Sequence, residues 1–249
     1  MAGLGAGLLL FVVVFAAAAA TGLTGFGFNL VSVPLLALLL DTHLAVVLSL
    51  ALGVVASALL LLPADTRREV DGRLALTLFA FSLFGLPVGL LIFTRLSPGL
   101  LKLTVGAVTL AYVVPLLGLY GGRLRLHRFM IGIAGVLSGV LASSTGLSGP
   151  PAIVFVHSQQ LPPSRLRATL ALYVLLVTTA TLPLLAIAGS LNAAVLRTAG
   201  PLAVAVIGGI CAGRFAFGRL PGHHFDKVVV GGLVAMAISN LVSGGLSAA

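Results

Sequence analysis

From Leu4 to Leu40 the chain carries no charged side chain. One crossing of a bilayer's hydrocarbon core takes about 20 apolar residues, so this single run is far longer than one straight span. The rest of the sequence is similar: 59% of its 249 residues are hydrophobic and 8% are charged, against about 25% charged in a soluble domain. A water-soluble fold this apolar could not cover itself with polar groups, so lipid must be its solvent. The sequence therefore specifies an all-α integral membrane protein, multi-pass in a cell membrane. It forms one transmembrane domain over 1–249 with no room for a soluble one. No Lys or Arg precedes the apolar stretch Leu8–Ala20. A cleaved signal peptide wants a basic start, so this stretch is read as structure. The net charge is +9, but the basic residues sit singly or in small groups between apolar runs, which is a topology signal and not a nucleic-acid surface. Cys211 stands alone in an apolar run; it can build no disulfide or zinc site within one chain and is read as a small packing residue.

Eight apolar segments follow one another, at roughly 4–40, 43–62, 74–93, 100–119, 129–156, 168–188, 193–215 and 228–246. The first and fifth are too long for one straight helix, and both are interrupted. The first contains Thr21-Gly22-Leu23-Thr24-Gly25-Phe26-Gly27, the fifth Thr145-Gly146-Leu147-Ser148-Gly149-Pro150-Pro151. Glycine is poor inside helices and proline lacks the amide hydrogen, so each helix should stop and restart there. The two interruptions correspond at an offset of 124, which also pairs Gly85 with Gly209, Gly89 with Gly213, Arg95 with Arg219 and Leu96 with Leu220. One residue later in register, Lys102 pairs with Lys227 and Gly106 with Gly231. Two separated clusters at one offset imply a duplicated unit of four segments, with pseudo-repeats of about 1–120 and 127–249.

Charge decides the path of the long segments. If each crosses once, seven basic residues fall on either side. If each dips in and returns, one side holds Arg67, Arg68, Arg73, Arg123, Arg125, Arg128, Arg165, Arg167, Arg214, Arg219 and Lys227, and the other only Arg95, Lys102 and Arg197. Eleven against three is the pattern of a cytoplasmic and an external face. Each half then has three full crossings plus one hairpin. Three is odd, so the halves are inverted relative to one another, a plan used by secondary transporters. Both termini are expected outside.

Hairpin arms of roughly 12 to 17 residues reach the middle of the bilayer, and inversion brings the two tips toward each other from opposite faces. Non-helical backbone is tolerated at that depth only where it is buried in protein or lines a wet cavity. Ser148 can cap the second arm of its hairpin, and Pro150 and Pro151 suit a first helical turn; Thr24 and Asn29 can play related parts in the first. Helix N-termini expose unpaired amide hydrogens and about half a positive charge, so two of them facing one cavity make an anion site without a charged side chain. The hydroxyls of Thr21, Thr24, Thr145 and Ser148 would add donors. The expected substrate-binding set is Thr21, Gly22, Thr24, Gly25, Gly27, Asn29, Thr145, Gly146, Ser148, Gly149 and Pro150. The pairs Gly85/Gly89 and Gly209/Gly213 are read instead as close helix packing.

All five acidic residues, Asp41, Asp65, Glu69, Asp71 and Asp226, fall in predicted loops or at span ends, so no intramembrane carboxylate is expected to relay protons or sodium. Arg214 lies about one turn inside a span and is expected to snorkel to the interface. His43, His127, His157, His223 and His224 sit near span ends without metal-ligand spacing, so neither metal nor cofactor is expected. Asn240, within the last span, reads as an interhelical hydrogen-bond partner. Gly146-Leu147-Ser148-Gly149 resembles the serine motif of rhomboid intramembrane proteases, but a nucleophile needs a base within reach, and no histidine lies well inside a later span.

TGLTGFGFNLVSVPLLALLL, followed about 124 residues later by GVLSGVLASSTGLSGPPAIVF, resembles the sulfite-exporter TauE/SafE family in length, in duplicated halves and in the Gly-rich break of each. Family members often carry a richer glycine run where this chain has Gly149-Pro150-Pro151. The resemblance implies a non-enzymatic transporter of sulfite, sulfonates or related organosulfur anions. Its partners would be a small anionic substrate and the lipid bilayer; a homodimer is an admissible assembly, and an anion channel is the alternative function.

Overall fold

The computed structural model describes residues 2–116, 126, 127, 129–217 and 234–245, and all regular structure among them is helical. Its elements are α1 (Ala2–Thr24), α2 (Phe28–Leu39), α3 (Thr42–Leu61), the short α4 (Ala64–Arg68), α5 (Gly72–Arg95), α6 (Pro98–Leu116), α7 (Met130–Thr145), α8 (Gly149–Ser158), α9 (Pro163–Ile187), α10 (Ala193–Phe217) and α11 (Val234–Gly245). Five of these, α1, α3, α5, α9 and α10, are long and apolar enough to cross a membrane. Arg123, Arg125, Arg128, Arg219, Leu220, His223, His224, Asp226, Lys227 and Gly231 lie outside the described residues.

Both long segments break where glycine clusters. Gly25, Gly27 and Gly146 have φ of 83°, 93° and 75°, a left-handed conformation that costs a residue with a β-carbon about 1–2 kcal/mol. The breaks are shorter than expected. Thr21, Gly22 and Thr24 stay helical, so the first arm has 23 residues, roughly 35 Å of helix, in place of a half-length arm. Nothing in its Ala/Leu/Val-rich run stops the helix before the first positive-φ glycine. Arms α2, α7 and α8 have 12, 16 and 10 residues. Pro150 and Pro151 stand in the first turn of α8, where their missing amide hydrogens cost no helical hydrogen bond.

The most extensive pairings are α5 with α7 and α1 with α10, while α3 and α9 pack together between them. Both large pairs run parallel and depend on glycine. A β-carbon at Gly85 would collide with the Val136 carbonyl oxygen, at Gly89 with that of Val140, and at Gly139 with that of Ser82. In the other pair, Gly209 and Gly213 meet the carbonyl oxygens of Phe15 and Ala19. The glycines expected to serve packing do so: backbones approach so closely that only hydrogen fits. Overpacking ordinarily costs about 1–3 kcal/mol, and backbone can yield less than side chains. Gly89→Leu or Gly139→Leu should therefore lose about 3 kcal/mol or more, read as loss of monodisperse protein in detergent. Gly200→Leu, with nothing within 4 Å of a β-carbon, should behave as wild type.

α3 is the central helix, with 61% of its apolar window buried against 22–39% for the other four long helices. Large apolar side chains cover the outside of the bundle, among them Phe84, Leu91, Val204 and Phe215, as a lipid-facing surface requires. Cys211 is exposed on that surface, which corrects its reading as a small packing residue: it occupies the side of α10 turned away from α1. Asn240 does bridge helices, its Nδ2 donating to the Pro34 carbonyl oxygen at 2.9 Å.

Asp41 caps α3 by accepting from the amides of His43 and Leu44, and Asp71 caps α5 by accepting from Leu74. Contacts at the helix ends show which connections share a face. Asp71 pairs with Arg165 at 3.3 Å, and the Ser164 hydroxyl donates to Glu69 at 3.3 Å, so the α3–α5 connection touches the start of α9. Gln159 Nε2, just after α8, donates to the Leu126 carbonyl oxygen before α7 at 3.3 Å. Away from these contacts, His43 Nε2 lies 3.1 Å from the Phe93 carbonyl oxygen.

Candidate functional site

The two breaks border one small cavity. The first contributes Phe26, Gly27, Phe28, Asn29 and Leu30, the second Leu147, Ser148, Gly149 and Pro150; Ile153, Leu170 and Val174 complete the wall. Its volume is about 20 Å³, space for one water molecule. α3 serves as a depth scale. A β-carbon at Gly53 would meet the Asn29 carboxamide, and one at Gly146 would lie 3.5 Å from Val46 and 3.8 Å from Leu50. These positions bracket the middle of α3, so the breaks pass one another near mid-span.

Of the expected site residues, Gly27, Asn29, Ser148, Gly149 and Pro150 line this cavity. Gly146 shapes the second break without lining it. The hydroxyls of Thr21, Thr24 and Thr145 do not point donors inward, because they turn back on their own helices. They lie 2.8, 3.0 and 2.9 Å from the carbonyl oxygens of Ala17, Ala20 and Leu141, the back-bonding usual for hydroxyl residues in apolar helices. Thr24 also reaches the Phe26 carbonyl oxygen at 2.6 Å. Ser148 occupies the N-cap position of α8, yet its side chain makes no capping hydrogen bond: its backbone is already helical, at φ −69° and ψ −18°, whereas a capping side chain works from an extended one. The Ser148 carbonyl oxygen instead accepts a short hydrogen bond from the Ser138 hydroxyl, which ties the break to α7.

What remains to meet a ligand is mainly backbone and one side chain. α2 starts at the cavity with no side-chain cap, leaving its first amide hydrogens to the cavity. α8 also starts there, but Pro150 and Pro151 carry no N–H, so of its first turn only the Gly149 amide remains to face the cavity. Asn29 is 6% exposed, and neither its Oδ1 nor its Nδ2 has a hydrogen-bond partner. A buried carboxamide left unpaired costs about 1–3 kcal/mol. The apolar wall of Phe26, Phe28, Leu147, Ile153, Leu170 and Val174 was not legible in the sequence, where only adjacency to a break marks its first members.

A second, larger cavity of about 450 Å³ lies on the other side of the first break. Gly22 and Gly25 belong to it and not to the inter-break cavity. Its remaining wall includes Leu60, Asp65, Thr66, Glu69, Ser164, Arg167 and Arg214. Arg214 is exposed near the end of α10, and its guanidinium donates to the carbonyl oxygens of Leu59 and Leu60, each at 3.0 Å, at the end of α3 where the helix dipole favours a cation. Arg167, read in the sequence as a topology signal alone, is a second residue that local pattern did not single out.

Comparison with curated proteins and with solved structures returns no match. A family model described as Sulfite exporter TauE/SafE matches residues 10–240, which takes in both breaks and every helix that borders the two cavities. With nearly the whole chain matched, the protein belongs to the sulfite exporter TauE/SafE family of membrane transporters.

Proposed function

We propose that the protein is a carrier that exports a small sulfur-containing anion, such as sulfite or a sulfonate, across the cell membrane, binding it between the two helix breaks. The observation that carries this reading is the unpaired Asn29 carboxamide, buried at a cavity into which two helix N-termini open. Each half supplies one break, and the donors there suit an oxyanion without a charged side chain. The one-water volume favours a carrier caught occluded over an open channel.

The proposal includes an inverted repeat with two re-entrant segments. Three observations support it. A shift of 124 residues carries α1 onto α7, α3 onto α9 and α5 onto α10, so the α1–α10 and α5–α7 pairings correspond with the halves exchanged. The flanks of the α7–α8 segment touch through Gln159 and Leu126, as expected of a segment that returns to its own side. The α3–α5 and α8–α9 connections touch through Asp71 and Arg165, which a single crossing by that segment would keep apart.

The test is counterflow in liposomes containing purified protein, with sulfite, thiosulfate, sulfoacetate, taurine and sulfate as probes. At least one sulfur anion should move about tenfold faster or more than in empty liposomes; equal rates for all five would sink the reading. Gly149→Leu is the site control. A β-carbon there meets only the flexible Ile153 side chain, at 3.1 Å, so the variant should remain folded while its side chain fills the cavity and stops flux.

A further inference from the structure

We propose that the groove between α6, α7 and α8 binds one acyl chain of a membrane phospholipid, with the chain end pressed against the start of α8. The groove holds about 350 Å³, and of the side chains that line it only that of Tyr112 carries an oxygen or nitrogen. It opens on the outside of the bundle: Ala111, Ile133 and Leu137 line it and are exposed. That rim continues the lipid-facing surface on which Phe84 and Leu91 stand. A recess this apolar stays dry, and the solvent around it supplies hydrocarbon chains.

The length of the groove fits one leaflet. Met130, Ile133, Ala134, Leu137 and Leu141 line it at helical spacing along α7, so they share one face. From Met130 to Leu141 that face runs roughly 16 Å at 1.5 Å per residue, against about 15 Å for half of the hydrocarbon core. The outer end lies at Leu126, which Gln159 ties to the end of α8. The deep end lies at Leu141, Pro150 and Pro151, beside the breaks near mid-span. A chain from the leaflet on the Leu126 side thus reaches the second break with its methyl end. Pro150 stands between the two spaces, lining both the groove and the inter-break cavity. The start of α8 has no side-chain cap, and its two prolines have no amide hydrogen, so packing is what holds it in place. The lipid chain supplies that packing from the side where the protein leaves a gap, and so braces one wall of the inter-break cavity. The lipid site is independent of what the protein carries.

The sequence contains no Trp, so a single introduced indole reports on its own surroundings. Two full-length variants are purified in a steroid-based detergent without flexible chains: Leu137→Trp, at the rim of the groove, and Phe84→Trp, on open lipid-facing surface. Each is titrated with phosphatidylcholine brominated in its acyl chains, which quenches an indole on contact. Leu137→Trp should be half-quenched at about tenfold less lipid than Phe84→Trp, the preference of a chain for a matched wall over open surface. Adding Ala111→Phe, which places a ring at the rim, should fill the groove and bring the Leu137→Trp curve onto that of Phe84→Trp. Unbrominated phosphatidylcholine should raise the melting temperature of the wild-type protein by several degrees and shift that of Ala111→Phe much less. Coincident curves for the two indoles overturn the proposal. So does an indole at position 137 that lipid never quenches, the result expected if another part of this chain or a second copy covers the groove. Ile133→Trp, on the same rim, decides the matter if Leu137→Trp does not fold.

Discussion

Asn29→Leu should abolish transport while making the protein harder to unfold. The carboxamide is 6% exposed with both polar atoms unpaired, so replacing it with an apolar side chain of related shape removes a standing penalty of about 1–3 kcal/mol. Flux should fall at least about a hundredfold, the loss expected when a desolvated anion surrenders a hydrogen bond worth roughly 3 kcal/mol. Thermal unfolding in detergent should shift upward by several degrees, by the usual conversion of stability to melting temperature. Asn29→Ala separates the two effects, since it loses flux equally but leaves a void and gains less stability. A residue kept only for packing would give the reverse result, a lower melting temperature and retained flux. Gly53, whose bare backbone faces Asn29, is the position that gives the carboxamide its space.

An imposed potential alone should drive the carrier. Every described acidic residue stands at a helix start or in the α4 connection, so the described spans contain no carboxylate to couple the anion to a proton or sodium ion. An inside-negative potential pushes a monovalent anion outward by about 2.3 kcal/mol per 100 mV. At about 1.4 kcal/mol per decade, 100 mV should sustain roughly a fortyfold gradient. Liposomes with a potassium-diffusion potential and no pH difference should reach that ratio, and collapsing the potential should return it to unity. Accumulation that ignores the potential and follows a pH gradient would reject this and direct attention to Asp41 and the histidines at the helix ends.

The sequence makes the membrane segments legible because most are bounded by charge and the two long ones are interrupted by glycine. Gly25, Gly27 and Gly146 announce their breaks because no other residue takes a left-handed conformation so cheaply. The close-packed faces at Gly85, Gly89, Gly209 and Gly213 are legible for a similar reason: small residues four apart leave a groove. Part of the site is not. Thr21, Thr24 and Thr145 look like inward donors in one dimension, but an apolar helix gives a hydroxyl no better partner than the carbonyl one turn back. The length of α1 is hidden because a helix of Ala, Leu and Val has no internal stop signal. Arg167 and Arg214 look like ordinary interfacial cations. Only the contact of α9 with the first break, and packing between α10 and α3, joins residues more than a hundred positions apart and turns those two into the wall of a cavity.

The pairing of α1 with α10 has a consequence for synthesis. The surface of α1 that Gly209 and Gly213 cover is made about 190 residues before its cover. At roughly 5–20 residues per second, α1 waits some 10 to 40 s in the membrane with its contact face open. α5 waits less, because α7 follows it within the next turn of the chain. The first helix must therefore hold its place by its own hydrophobicity, and its uncharged sequence from Leu4 onward is suited to that delay as much as to the finished fold.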